Sequence, residues 1–433
     1  MPDNRSLQEL RDKYLSPSFG LSYDRPLHIV SGKGQYLYDS KGHEYLDAVN
    51  NIQHVGHCHP KVIEAANEQL KRLNTNTRYL DETITDYARA LTDKLPAGLN
   101  RCFFTNSGSE SNDLALRIAR HHSNSKETIV LGGAYHGHLT SLIEVSPYKH
   151  DGPGGQGPPE YVHVVPMPDP FRGLYRGPNS GPMYAGEVKN IIERLRSEDK
   201  RVSALMVESV MGCGGQLIPP KGFLSESFNM IRKANGLCIA DEVQIGFGRM
   251  GEHFWGFETQ EVTPDIVTLG KSIGNGHPLS VVVTNDEISD EFNNGMEYFN
   301  SFGGNPVSCA VGHAVLNVIE EEGLQQNALE VGNELRSLLM ELGSDHDIIG
   351  DVRGIGLFVG IEMIKDMDTL EPHPQAAKQI VDEMMHRGIL LGSDGPDHNV
   401  IKIKPPMVFD RSNALLLVET LDKVLSNNKN WKK

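Results

Sequence analysis

Hydrophobic positions along this chain change period several times, and each change marks an element. Residues around Leu7–Tyr14 carry helical spacing, and Gly34-Gln35-Tyr36-Leu37-Tyr38-Asp39 alternates as a half-buried strand does. From Lys61 to Leu73 the spacing is helical again, with Val62, Ala65, Ala66 and Leu70 on one face. From about Arg101 to Asn305, short unbroken apolar runs alternate with helical stretches. The runs are Cys102–Phe104, Thr128–Leu131, Ala204–Val207, Leu237–Ala240, Ile266–Leu269 and Val281–Val283. Continuous apolar strands separated by helices predict an α/β fold, a mostly parallel sheet with helices on both faces. Ligands of such sheets bind beyond the strand C-termini. Gly152–Pro159 reads as a loop and not a domain linker, because the alternation resumes after it. From about Val311 a long helical stretch leads to a smaller unit containing Gly354–Ile361 and Val400–Pro406. The expected units are an N-terminal segment, 1–60, that joins the small domain, a large domain, 61–310, and a C-terminal small domain, 311–433.

Composition narrows the class. The 433 residues are too many for one simple core, and 38% hydrophobic with 23% charged residues is a globular balance. The formal charge of −16 argues against nucleic acid or anionic membrane as a partner. Cys58, Cys102, Cys213, Cys238 and Cys309 are scattered and form no CxxC pair, which is the usage of reduced thiols in a cytoplasmic protein. The N-terminal MPDNRSLQELRDKY has no apolar core of a targeting segment, and no apolar run approaches the ~18 residues of a membrane helix.

The chemistry-bearing residues fall just after the strands. Lys271 follows Ile266–Leu269 and Gly270, and Asp241 follows Leu237–Ala240. A carboxylate for a pyridinium nitrogen and a lysine for an aldehyde are what a pyridoxal phosphate enzyme requires. Ser107-Gly108-Ser109 lies between a strand and a helix, where backbone N–H groups make an anion cradle; an ordinary serine cap is the alternative. Tyr135 follows the next strand and offers a ring to stack on a pyridine, against the alternative of a core tyrosine. Val243 can pack on the ring, and Gln244 can reach its phenolic oxygen. The histidines of the segments 54–59 and 135–138 lack a second ligand pair at structural-zinc spacing, so no metal is expected.

In this order (anion loop, aromatic, acid, lysine) the residues resemble the class III aminotransferases, which are fold-type-I pyridoxal phosphate enzymes. The likeness runs from about Gly34 to the C-terminus. It rests on NSGSESND, AYHGH, IADEVQIGFGR, LGKSIGNGHP, FNSFGGNPVSCA and RGIGLFVGIE. It implies a seven-stranded-type central sheet with a smaller α+β domain built from both terminal segments. It further implies that Lys271 carries the cofactor and shuttles protons, and that Asp241 pairs with the ring nitrogen. Gly108 and Ser109 would bind the phosphate, Tyr135 and Val243 would sandwich the ring, and Glu208 and Gln244 would orient it. Finally, it implies a homodimer with shared active sites, in which Ser301 reaches the neighbouring subunit's cofactor phosphate.

Two segments depart from the common pattern. Cys213 stands where many members carry a glutamate, and Lys402, with Lys404 nearby, stands where they carry a carboxylate-binding arginine. Lysine is a point charge suited to phosphate and a poor bidentate carboxylate clamp. An alternating solvent face of a strand would also explain two lysines. NNIQHVGHCHP, LNTNTRYL, AYHGHLTSLIEVSPYK and IKIKPPM resemble the phospho-lyase branch of the family. That likeness implies elimination of phosphate from O-phosphoethanolamine, giving acetaldehyde, ammonia and phosphate. Lys402, Lys404, His54 and Arg78 are the candidates to grip the substrate phosphate. The alternatives are a 5-phosphohydroxylysine phospho-lyase, a hydroxy-aminoethylphosphonate ammonia-lyase and an ω-aminotransferase using a 2-oxo acid. A non-catalytic scaffold would have no use for both Lys271 and Asp241.

Overall fold

A computed structural model of the chain describes residues 4–427. Its apolar runs form a seven-stranded sheet in the order Arg101–Thr105, Ser280–Thr284, Ile266–Leu269, Leu237–Asp241, Val202–Glu208, Glu127–Leu131, Val162–Val165. Ser280–Thr284 alone opposes its neighbours, so the sheet is the mostly parallel one the pattern predicts. The period-two pattern of Val202–Glu208 divides its side chains between two cores. Leu205 and Val207 pack with Tyr184, Phe223 and Phe228, whereas Ala204 and Met206 pack with Leu114 and Ile118. Each fully buried aliphatic side chain contributes about 1.5–3 kcal/mol. The apolar pattern misses the edge strand Val162–Val165, which is short and interrupted by His163, a residue held by Glu127 at 2.6 Å.

The terminal segments make two four-stranded sheets. Ile29–Lys33, Tyr36–Asp39 and Glu44–Asp47 form an antiparallel meander, and Ile389–Leu390 from the far end of the chain adds parallel to Glu44–Asp47. The predicted strand from Gly34 is thus one arm of a hairpin, and Gly34, with φ +56°, turns it. The other sheet has the order Ile349–Ile355, Phe358–Met363, Val400–Ile403, Gly392–Asp394. The long helical stretch is two helices, Pro306–Glu321 and Leu324–Asp345, broken at Gly323 with φ +62°. Helix Pro60–Arg72 buries Val62 and Gln69, while Leu70, expected on the inner face, is 58% exposed. Among the described residues no helix is long and apolar enough to cross a membrane.

A buried polar knot ties these parts together. Arg249 Nη1 donates to the carbonyls of Leu357 and Pro405, at 3.1 and 2.6 Å. Its Nη2 donates to His54 Nδ1 at 3.2 Å, and His54 Nε2–H donates to the Phe247 carbonyl at 2.7 Å. Both side chains are fully buried. Burial, helped by the Arg249 charge, pushes His54 from 6.5 down to about 3. The unfolded chain therefore binds a proton near pH 6.5 that the folded chain refuses until about 3. The stability contributed by neutral His54 is complete above pH 6.5 and is lost as pH falls, by about 1.4 kcal/mol per unit. His54→Gln is expected to lower Tm at pH 7 but to flatten its fall between pH ~6.5 and ~4.5. Thermal unfolding across that range checks this, and equal slopes for both proteins would contradict it.

Candidate active site

The ends of three adjacent strands set the site. Register places Glu208 beside Asp241, and Asp241 beside Thr268, three residues before Lys271. Glu208, Asp241 and Lys271 therefore project from neighbouring strand ends into one cavity of about 200 Å³. Gly108, Ser109, Asn112, Tyr135, His136, Gly137, Val243 and Gln244 complete its lining.

Asp241 is oriented by three donors. Its Oδ2 accepts from Asn112 Nδ2 and from His136 Nδ1, both at 2.8 Å, and its Oδ1 accepts from the Val243 N–H at 3.1 Å. A carboxylate only accepts, so His136 carries its proton on Nδ1. Asn112 Nδ2 also donates to the His136 carbonyl at 2.7 Å, which locks the two donors to each other. Sequence reasoning missed Asn112 and gave His136 no part in the site. The signal was present, since Asn112 lies one helical turn beyond Gly108 and His136 adjoins Tyr135.

Glu208 Oε1 accepts from the Tyr135 N–H at 3.0 Å and Oε2 from the Gly212 N–H at 2.9 Å. Burial raises its carboxyl above the usual range, with His136 opposing the rise. Glu208 thus fixes the Tyr135 turn beside Asp241. Lys271 is half-buried with φ +41°, a left-handed conformation that costs an L residue about 1–2 kcal/mol.

At the other end of the cavity, helix Gly108–Ser123 begins. Ser107 Oγ accepts from the Glu110 N–H at 3.2 Å, so this hydroxyl caps the helix and lies outside the lining. The first-turn N–H groups at Gly108 and Ser109 have no partner within the helix and are suited to an anion. A Cβ on Gly108 would come within 2.9 Å of Val243 Cγ1, so only glycine lets the helix start and Val243 approach this closely. Ser109 Oγ accepts from the His138 N–H at 3.1 Å and holds the Tyr135 loop over the helix start.

Gln244 links the cavity to the C-terminal segment. Its Oε1 accepts from Lys404 Nζ at 3.1 Å and from Asn51 Nδ2 at 3.3 Å, and its Nε2 lies 3.9 Å from Cys213 Sγ. Lysine only donates, so the amide is fixed with Nε2–H available to the cavity. Lys404 is fully buried, and burial lowers its pKa although Asp394 opposes this. Asp394 Oδ2 accepts from Lys404 at 3.4 Å, and Oδ1 accepts from Lys402 at 3.1 Å. Burial raises Asp394, but the two lysines outweigh it and hold the carboxyl below its ordinary value. Burial also pushes the Cys213 thiol up to about 12.

The four expected phosphate ligands are not brought to the cavity. Lys404 stands behind Gln244, and Lys402, two residues earlier and within the strand Val400–Ile403, is held by Asp394 and lines a separate cleft with Tyr23 and His398. His54 is locked in the Arg249 knot. Arg78 is exposed, pairs with Glu297 at 3.0 Å and covers the Phe299 ring. Ser301 is exposed on a loop outside the single-subunit cavity.

The residues fit pyridoxal phosphate. The cavity is smaller than the ~300–1,000 Å³ of pockets for drug-sized ligands, as one substituted ring requires. It offers an anion cradle, a tyrosine and a valine to cover a ring, an oriented carboxylate and a lysine amine. His136 Nε2 and Asn112 Oδ1 are buried and unpartnered among the described residues, at the wall the ring would meet.

The aminotransferase class-III family model matches residues 21–425. A Drosophila melanogaster protein named alanine–glyoxylate aminotransferase 2-like is 49% identical over 415 residues, covering 94% of this chain and 84% of its own. A Caenorhabditis elegans protein named ethanolamine-phosphate phospho-lyase homolog 1 is 43% identical, covering 93% of this chain and 89% of its own. A solved phospholyase from Arthrobacter in complex with phosphoethanolamine superposes with a TM-score of 0.92 at 38% identity, over 97% of this chain and 99% of that one. Solved transaminases of the same fold hold pyridoxal phosphate. With its strand-end lysine and acid in one cavity, this chain belongs to the class III aminotransferase family and is a pyridoxal phosphate enzyme.

Proposed function

We propose that the chain is a phospho-lyase acting on O-phosphoethanolamine. One observation carries the reading. Among the described residues no arginine lines the cavity, and both lysines of the C-terminal segment are held by Asp394 outside that lining, so the cavity has no bidentate clamp for the carboxylate of an amino or 2-oxo acid. The likeness to the Arthrobacter and C. elegans proteins supports the same substrate class.

Bound pyridoxal phosphate supplies an aldehyde for the substrate amine and a ring that accepts an electron pair. With that cofactor bound, Lys271 Nζ would be the base that takes a proton from the amine-bearing carbon of the substrate. Asp241, oriented by His136 and Asn112, would hold a negative charge toward the ring nitrogen. The neighbouring C–O bond then breaks, and phosphate leaves with the bonding pair. Water hydrolyses the released enamine to acetaldehyde and ammonia. Lys404 and Asn51 hold the Gln244 carbonyl oxygen, which would leave its Nε2–H for the ring's phenolic oxygen. The five free cysteines suit a cytoplasmic, reducing setting.

The same reading makes the protein a homodimer. Phe302, beside Ser301, is 71% exposed in the single chain, and Tyr79 is 68% exposed. Large exposed apolar side chains on loops next to a site mark an interface. In this dimer Ser301 closes the neighbouring subunit's phosphate cradle. The second reading is an ω-aminotransferase, favoured by the name of the Drosophila relative.

A panel of phosphoethanolamine, phosphohydroxylysine, hydroxy-aminoethylphosphonate and simple ω-amines tests the substrate. Phosphoethanolamine is expected to give the highest kcat/KM for phosphate release, and a higher value for phosphohydroxylysine, or none for either, would overturn the assignment. Asp241→Asn is expected to lower turnover by about 10²–10³-fold, read as released phosphate, and a full rate would contradict the role given to this carboxylate. Phe302→Asp is expected to convert the dimer to monomer with loss of cofactor absorbance, measured by light scattering on a sizing column. A monomeric wild type would remove the shared-site reading.

A further inference from the structure

A substrate phosphate needs a cation at the mouth of the cavity, and every cation expected there already holds a carboxylate or is locked in the core. Recruiting Lys404 or Lys402 would strip a partner from Asp394, which is 4% exposed. Breaking a buried pair leaves an uncompensated charge, the costliest way to obtain a ligand. Arg78 would have to leave Glu297.

Lys149 is different. Its Nζ lies 5.8 Å from the ring centre of Tyr135, which lines the cavity, and 5.4 Å from that of Tyr148. The side chain is exposed, and among the described residues no carboxylate pairs with it. Its present partners are aromatic faces, and cation–π contacts at exposed sites are weak. A dianion can therefore engage this ammonium without breaking an ion pair.

The backbone holds Lys149 in register with the site. The Tyr148 N–H donates to the Ala134 carbonyl at 3.1 Å, and the His136 N–H donates to Ser146 Oγ at 2.9 Å. Two hydrogen bonds thus clamp Pro147–His150 onto the turn that carries Tyr135 and His136. The Tyr135 and Tyr148 rings meet edge to face at 6.4 Å, and Tyr148 meets His398 at 6.1 Å. Of these rings Tyr135 lines the cavity, and Tyr148 continues outward from it beside Lys149.

We propose that Lys149 is the substrate-phosphate ligand of this active site, an assignment that rests on the phospho-lyase reading above. It also gives a purpose to the lysine of the SPYK segment, whose Ser146 and Tyr148 hold the Tyr135 turn. Lys149→Met is expected to raise KM for phosphoethanolamine at least about tenfold, and to raise the inhibition constant of inorganic phosphate in parallel. Lys149→Arg, which keeps the charge, is expected to restore most of both. Cofactor absorbance per subunit reports that the variants are folded and loaded. Unchanged KM and phosphate inhibition in Lys149→Met, with the wild type still releasing phosphate, would overturn the assignment and leave the lyase reading standing. A fully loaded wild type that releases no phosphate would overturn the lyase reading and this assignment with it.

Discussion

The carboxylate of Asp241, buried at the end of a central strand, is the constraint on which the rest of the site depends. A buried carboxylate is tolerated only when its oxygens are hydrogen-bonded. Asn112, His136 and the Val243 N–H meet that need, and each arrives from a different element. Satisfying Asp241 therefore fixes the helix that begins at Gly108, the turn that carries Tyr135, and the turn that places Val243. Those same elements carry the helix-start N–H groups suited to an anion and the tyrosine and valine that line the cavity. The parallel sheet supplies the register that sets Glu208 and Lys271 beside it.

A second carboxylate, Asp394, organises the C-terminal side of the site. It lies between Lys402 and Lys404 and holds both ammonium groups outside the cavity lining. Lys404 is turned instead to Gln244, where its donor-only ammonium settles which way the amide faces. The C-terminal segment in this chain acts on the cavity through a hydrogen bond. Among the described residues Lys149, carried on a segment pinned to the Tyr135 turn, has no carboxylate partner, and it is the cation proposed above for the substrate phosphate.

Much of this is legible in the sequence, for reasons that differ by residue. The central strands are buried on both faces, so their apolar runs are unbroken and easily seen; the edge strand Val162–Val165, with His163 in the middle, is not. Asp241 and Lys271 stand out because charged residues rarely end such runs. Leu70 misleads because helical spacing identifies an apolar face without saying what covers it, and in the single chain that side is exposed. His54 and Lys404 mislead for a different reason. A polar residue near a site in sequence reads as a ligand, whereas here each is consumed by a partner distant in sequence: Arg249 for one, Gln244 and Asp394 for the other. Those pairings depend on how the terminal sheets dock on the large one, and no local pattern encodes that.

The central claim is that this aminotransferase scaffold eliminates phosphate and does not transfer an amino group. The most direct measurement follows phosphate, ammonia and acetaldehyde together, with loaded enzyme, phosphoethanolamine and no 2-oxo acid. The account predicts sustained release of all three in equal amounts, with the cofactor spectrum of the resting enzyme recovered after substrate is exhausted. Turnover that stops after a single equivalent and resumes only when a 2-oxo acid is added would contradict it.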